Sequence, residues 1–268
     1  MTARPPVVCC DLAGVVWRGD TPIAGSADAV DRLRGAGLAV MFLSNNSSQT
    51  IGEVVAKLAG AGIDTDPTTV LTSALAAAEL LAPSLPAGAR VLACAGPGVI
   101  EALGAAGFEV VREPPADAVV VGFHRDFDYD ELERTSRAVR DGARVVATNL
   151  DATYPVVGGV VPGAGSLVAA VATASGRTPE VAGKPEPAAV AMVRAHAGDE
   201  GLVVGDRPST DGALAAALGW PFALVLSGVT AAVAPPGGEA IPDPPPALVG
   251  DDLAALVPRI VEALAPIR

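Results

Sequence analysis

Three short apolar runs, each ending in polar groups, constrain the fold of this chain more than any other feature. Val7-Val8-Cys9-Cys10 ends in Asp11, Leu38–Leu43 ends in Ser44-Asn45-Asn46, and Leu202-Val203-Val204 ends in Gly205-Asp206. Runs without polar alternation read as strands buried on both faces, and strands alternating with helices build parallel βαβ units. Open parallel sheets bind ligands at the C-terminal ends of their strands. The three runs therefore deliver a carboxylate, a hydroxyl with two amides, and a second carboxylate to one edge of a sheet.

The alternation has two parts. From residue 7 to about 81, strands and helices alternate, with helices expected from a Ser26 cap to Arg34, from about Gln49 to Leu58, and from Thr72-Ser73 towards Leu81. A second set follows: strands at Arg90–Ala93, Ala118–Val121 and Arg144–Thr148, with helices at Gly98–Ala105 and Tyr129–Arg140. Tyr154–Gly165 reads as turn-rich and precedes a helix to about Ser175. The first style then resumes with a helix from Pro185, the Leu202–Val204 strand, a helix over Ser209–Leu218, the Phe222–Leu226 strand and a helix from Asp251; Pro235–Pro246 reads as a surface loop. The polar strand-ends lie only in the outer parts. The simplest arrangement is an α/β protein with a discontinuous, Rossmann-like, doubly wound parallel core of residues 1–82 and 178–268, and an α/β cap domain, 83–177, inserted between them.

Charge narrows the partners. Thirty acidic residues against eighteen basic ones give a net charge of −12, which argues against a nucleic-acid partner. A phosphate site in such a chain has to be built locally, from metal, backbone N–H groups and one or two cations. The only lysines are Lys57 and Lys184. The three cysteines, Cys9, Cys10 and Cys94, have no zinc spacing and read as buried free thiols. No apolar run reaches the ~18 residues that cross a bilayer, and Met1–Pro6 has no signal-peptide pattern. A cytoplasmic protein without a membrane partner is expected.

As chemistry, Asp11 and Asp206 suit a hard divalent cation, since Mg²⁺ takes one or two carboxylates with water and substrate phosphate. Ser44, Asn45 and Asn46 offer a hydroxyl and amide donors, and Lys184 in Gly183-Lys184-Pro185 offers a point cation. Together they are the parts of a phosphoryl-transfer site. Each also has a plainer reading. Ser44-Asn45-Asn46 could cap a helix, Lys184 could be a solvated helix-start residue, and Asp206-Arg207 a surface ion pair. Asp211 could simply favour a helix N-terminus. His124 and His196 read as structural or exposed.

The chain resembles the haloacid dehalogenase superfamily over essentially its whole length, most closely the C2-capped p-nitrophenylphosphatase and phosphoglycolate phosphatase branch. The core stretches are Asp11-Leu12-Ala13-Gly14-Val15-Val16-Trp17-Arg18-Gly19, Phe42-Leu43-Ser44-Asn45-Asn46-Ser47-Ser48, Gly183-Lys184-Pro185-Glu186-Pro187 and Val204-Gly205-Asp206-Arg207-Pro208-Ser209-Thr210-Asp211. Val121–Phe127, Ala147–Asp151 and Pro162–Gly165 resemble that branch's cap. The resemblance implies Asp11 as nucleophile and Mg²⁺ ligand, with the Ala13 carbonyl and Asp206 completing the protein's ligands. Ser44 and Lys184 would bind phosphoryl oxygens, Asp211 would orient Lys184 or metal-bound water, and Asn149 and Asp151 would either line the substrate pocket or build a cap turn. The implied partner is a small phosphorylated metabolite, and caps of this type often mediate homodimers.

Position 13 departs from the phosphatase pattern, which has Asp there to protonate the leaving oxygen and then activate water. Alanine cannot move a proton. An engineered replacement, a natural degenerate member, and an enzyme needing no acid at this position are all compatible with the sequence. The leading expectation is an impaired phosphatase of small phosphomonoesters, and the alternative is a non-catalytic phosphometabolite-binding protein. A carbon–phosphorus hydrolase ranks last. Its Asp-x-Ala-Gly motif matches, but Arg18–Arg32 is too short for the cap that would carry its Schiff-base lysine.

Overall fold

Asp11 ends the strand at which the chain switches direction across a six-stranded parallel sheet. The computed structural model describes residues 5–156, 159–231, 239–243 and 245–265. The sheet order is Leu248–Gly250, Phe222–Val225, Gly201–Gly205, Val7–Asp11, Ala39–Ser44, Val70–Thr72. Val7–Asp11 pairs in parallel with Ala39–Ser44 on one side and Gly201–Gly205 on the other, so Cys10 lies between Phe42 and Val204. A strand flanked by a later and a much later segment is the switch point of a doubly wound sheet, where a crevice opens.

The unbroken apolar runs follow from this position. Val7 and Cys9 face one hydrophobic layer, with Met192 and Leu214, while Val8 and Cys10 face the other, with Leu33, Leu58 and Leu256. A strand covered on both faces has no solvent side on which to place polar residues.

A second, five-stranded parallel sheet runs Glu180–Val181, Arg144–Ala147, Ala118–Val121, Arg90–Cys94, Glu109–Val111. The helix Ser73–Leu81 buries Ala74, Ala76, Ala77 and Ala78 in a cluster that also holds Leu43 of the first sheet and Val91 and Val120 of the second. Small side chains let this helix pack closely on two sides, which accounts for the alanine-rich composition. The fold is α/β, with a Rossmann-like six-stranded core sheet and a separate five-stranded sheet.

Several local expectations are corrected. Glu180–Val181 was expected in the core segment from 178, yet Val181 pairs with Ala147 at the edge of the second sheet. A two-residue edge strand leaves no periodicity to read. Ser26 does not cap its helix: Gly25 occupies the N-cap at φ 81°, and Ser26 Oγ donates back to the Ile23 carbonyl at 2.8 Å. The helix expected from Gln49 spans Ile51–Gly60 behind a Thr50–Glu53 capping box. Within the turn-rich stretch, Thr153–Val156 pairs antiparallel with Gly159–Pro162. Of the expected loop Pro235–Pro246, residues 235–238 and 244 lie outside the described residues, while Glu239–Ala240 pairs in parallel with Thr230–Ala231 instead of remaining loop. No described helix is long and apolar enough to cross a membrane.

Candidate active site

The three polar strand-ends converge on one cavity of about 340 Å³. Asp11, Ala13, Ser44, Asn45, Asn46, Lys184, Asp206 and Asp211 all line it, joined by Asn149 and Asp151 from the inserted segment. Every site residue expected from sequence is thus brought together. Lys57 is not among the lining residues: its ammonium bonds the Gly19 carbonyl at 2.8 Å and Asp20 at 3.0 Å, 4.7 Å from the Trp17 ring centroid.

Lys184 organises the floor. Its Nζ donates to Asp11 Oδ1 and to Asp211 Oδ1, each at 2.6 Å. All three residues are buried, with exposures of 6%, 8% and 1%. Burial works against the ammonium's charge, but the Asp11 and Asp211 carboxylates outweigh it and hold the Lys184 pKa above its ordinary value. The lysine backbone is also fixed: Lys184 N–H donates to Asn45 Oδ1 at 2.8 Å, and Asn45 Nδ2 donates to the Lys184 carbonyl at 3.2 Å.

Asp206 lies in the same cluster, and carboxylate oxygens of Asp11, Asp206 and Asp211 come within 4.8 Å of one another. Burial pushes the Asp11 pKa up to about 8 against the pull of Lys184. Burial, followed by the neighbouring Asp211, pushes Asp206 up to about 6, opposed by the Val229 N–H that Asp206 Oδ2 accepts at 2.7 Å. Two of these carboxylates bond the Lys184 ammonium and the third accepts the Val229 N–H, so the cluster presents hard oxygen donors at close quarters.

Glycines make this crowding possible. Gly14 has φ 81°, a left-handed conformation, and a Cβ there would lie 2.3 Å from Asp206 Oδ2. A Cβ on Gly205 would lie 2.2 Å from Asp211 Cγ. The motif glycines therefore stand where the carboxylates need room.

Ser44 Oγ accepts the Asn46 N–H at 3.1 Å, and Asn46 Oδ1 in turn accepts from Ser48 N–H at 3.0 Å. Asn46 is thus partly occupied in building the turn that presents Ser44. Part of the cavity lining comes from the inserted segment. Asn149 Nδ2 donates to the Asn45 carbonyl at 2.6 Å, and Asn45 Nδ2 reaches Asp151 Oδ2 at 3.3 Å. Phe123 and Tyr154 stack with centroids 5.4 Å apart and both line the cavity. Phe123, Tyr154 and the Gly228-Val229 loop were not singled out as site residues from sequence. The available signal for the loop was the apolar run Phe222–Leu226 ending in Ser227-Gly228, a fourth strand-end of the same kind. The exposed Arg18 lines the rim, with its Nε bonded to the Ser227 carbonyl.

The remaining expected bystanders have structural contacts. His124 Nε2 lies 2.6 Å from Glu131 Oε2, and His196 Nδ1 lies 2.9 Å from the Met192 carbonyl. Cys9, Cys10 and Cys94 are free and buried.

A model described as haloacid dehalogenase-like hydrolase matches residues 8–109, and a second, HAD-hydrolase-like, matches residues 181–256. D-glycerol 3-phosphate phosphatase from Mycobacterium tuberculosis is 40% identical over 250 residues, covering 92% of this chain and 69% of that protein. Acid sugar phosphatase from Staphylococcus aureus is 35% identical over 185 residues, 69% of this chain and 70% of that protein. The crystal structure of the mycobacterial glycerol phosphate phosphatase in complex with magnesium superposes with a TM-score of 0.83 at 38% identity, covering 94% of this chain and 76% of that one. The p-nitrophenyl phosphatase from Archaeoglobus fulgidus superposes with a TM-score of 0.84 at 28% identity, covering 96% and 100%. The chain belongs to the haloacid dehalogenase-like hydrolases.

Proposed function

We propose that this protein is a Mg²⁺-dependent phosphatase-type hydrolase of small phosphomonoesters that works through an aspartyl-phosphate on Asp11, with turnover impaired by alanine at position 13. The observation that carries this reading is the Lys184 ammonium, 2.6 Å from both Asp11 and Asp211, on the floor of a cavity that Ser44 and Asp206 also line. Relatives whose names assign them glycerol phosphate and sugar phosphates support the substrate class.

The donor set fits Mg²⁺: the clustered ligands are all carboxylate oxygen, and Lys184 bonds only two of the three carboxylates. Asp11, the Ala13 carbonyl and Asp206 would hold the ion, which when bound supplies Lewis-acid stabilisation of phosphoryl charge. In this reading an Asp11 oxygen attacks phosphorus while the Ser44 hydroxyl and Lys184 hold the equatorial oxygens. Asp211 keeps Lys184 in place. Asn149, Asp151, Phe123 and Tyr154 meet the organic part of the substrate. Residue 13 keeps its backbone carbonyl but loses proton transfer, worth ~10²–10⁴-fold, or about 3–5 kcal/mol of barrier. The segment 83–177, extended through the Glu180–Val181 strand, serves as the cap over a core of the remaining residues.

Calorimetric titration with Mg²⁺ tests the metal site: Asp206→Asn should weaken binding at least tenfold. Unchanged binding would remove Asp206 from it. Hydrolysis of p-nitrophenyl phosphate by Ala13→Asp tests the reaction class. A folded, Mg²⁺-binding variant that stays inert across a panel of phosphate esters would favour the second reading, a phosphometabolite-binding protein, which Ala13 itself supports.

A further inference from the structure

We infer that Asp151 moves the proton that residue 13 cannot, acting as general acid and then general base from the part of the cavity lining that the inserted segment supplies. The inference rests on the phosphatase reading above. Four carboxylates line the cavity: Asp11, Asp151, Asp206 and Asp211. Lys184 engages Asp11 and Asp211, while Asp206 accepts the Val229 N–H and belongs to the metal-binding set. Asp151 is the exception. Its carboxylate makes one side-chain contact among the described residues, with the neutral Asn45 amide at 3.3 Å, and no ion pair. It is the lining carboxylate left free to exchange a proton.

Direction matters as much as freedom. Phosphoryl transfer places the attacking and leaving oxygens roughly in line. With Asp11 attacking from the end of its core strand, an in-line leaving oxygen points away from that strand, and Asp151 lines the same cavity from the inserted segment. In the second half-reaction water enters from the side the leaving group vacated. One carboxyl group reaching that side therefore serves both steps, as microscopic reversibility favours.

The protein fixes the backbone that carries this carboxylate. Asp151 N–H donates to Asn149 Oδ1 at 3.0 Å, and Asn149 Nδ2 is anchored on the Asn45 carbonyl. Gly165 N–H donates to the Asp151 carbonyl at 2.9 Å. A Cβ on Gly163 would lie 2.3 Å from the Asp151 carbonyl oxygen, and one on Gly165 would lie 2.3 Å from that of Leu150. Pro162-Gly163-Ala164-Gly165 thus has glycine where the following helix closes on the Asp151 turn. Asn45 then links the Asp151 carboxylate directly to the Lys184 backbone.

The steps balance. An Asp11 oxygen bonds to phosphorus as the ester P–O bond breaks, its electron pair going to the leaving oxygen, which takes the Asp151 proton and departs as the alcohol. Asp151, now a carboxylate, takes a proton from the entering water as its oxygen bonds to phosphorus. The bond to Asp11 breaks with its pair returning to Asp11, phosphate leaves, and Asp151 is protonated again.

The test is a double-mutant cycle between positions 13 and 151, read as kcat and KM for glycerol phosphate and p-nitrophenyl phosphate with Mg²⁺. Thermal melts should establish that each variant is folded. In the parent chain, Asp151→Asn should lower kcat for glycerol phosphate ~10²-fold, with a smaller change in KM. The loss should be smaller for p-nitrophenyl phosphate, whose leaving group needs less protonation. In the Ala13→Asp chain the same substitution should cost at least tenfold less, because an acid is again present. Equal losses in both chains, or no loss in the parent, would overturn the inference. A parent with no turnover beside an active Ala13→Asp variant would overturn it while sparing the phosphatase reading. If both chains are inert, the phosphatase reading itself fails.

Discussion

Lys184 and Asp211 meet at 2.6 Å in a place almost sealed from water. Since Asp11 shares the same ammonium, the lysine neutralises two carboxylates that would otherwise repel across the cavity floor. Lys184 is therefore a condition for assembling this cluster, besides the phosphate-binding role proposed for it.

Replacing it should be costly in the resting protein. Lys184→Met leaves two buried carboxylates without their cation, a change of the kind that destabilises by ~3–5 kcal/mol. Urea unfolding without Mg²⁺ should register the loss. A variant as stable as the parent would mean that the floor tolerates its negative charge unaided.

Restoring an acid at position 13 should reveal the machinery already present. Ala13→Asp is expected to raise Mg²⁺-dependent hydrolysis of p-nitrophenyl phosphate, by the full ~10²–10⁴-fold worth of a positioned acid–base where Asp151 is also replaced by Asn and by less where Asp151 is intact. In the parent, dephosphorylation should be the slow step, so rapid-quench labelling should find phosphate on Asp11. Absence of any labelled Asp11 during slow parent turnover would count against the covalent route.

The raised carboxylates set a pH dependence. Folded Asp11, at about 8, and Asp206, at about 6, bind protons more tightly than in the unfolded chain, where aspartate titrates near ~3.9. Their contribution to stability is thus fully present below ~4 and is lost as pH rises towards about 8. Mg²⁺ competes with those same protons. The thermal shift given by a fixed Mg²⁺ concentration should accordingly be larger at pH 8 than at pH 5. Equal shifts would show that ion binding displaces no proton from the cluster.

Gly14→Ala should damage the site without replacing any polar group. The residue needs φ 81°, and an added methyl would meet Asp206 Oδ2 at 2.3 Å and the Gly228 Cα at 2.9 Å. A loss of roughly 1–3 kcal/mol, typical of strained backbone positions, should accompany weakened Mg²⁺ binding. Calorimetry on the folded variant separates the two effects, and parent-like Mg²⁺ affinity would show that Asp206 can move aside.

The sequence made Asp11, Ser44 and Asp206 readable because each closes an apolar run buried on both faces, a pattern with few other meanings. Lys184 and Asp211 were harder, since each alone fits an ordinary helix start; only the order of motifs set them apart. Edge strands were lost for a physical reason. Val70–Thr72, Leu248–Gly250 and Glu180–Val181 are three, three and two residues long, too short for any periodicity to emerge. Phe123 and Tyr154 come together only through packing of distant segments, and no local spacing announces such a contact. Gly25 took the helix cap from Ser26 because its left-handed turn already completes the entry to the helix.

The short Glu180–Val181 strand also has a mechanical meaning. It is hydrogen-bonded into the five-stranded sheet, yet only three residues later the same chain supplies the ammonium beneath Asp11. At ~3.3–3.6 Å per extended residue, that leash is at most ~11 Å long. A rotation of the five-stranded sheet that opened the cavity would pull on this leash and on the Asn45 bridge together, so cavity access and lysine placement share one linkage.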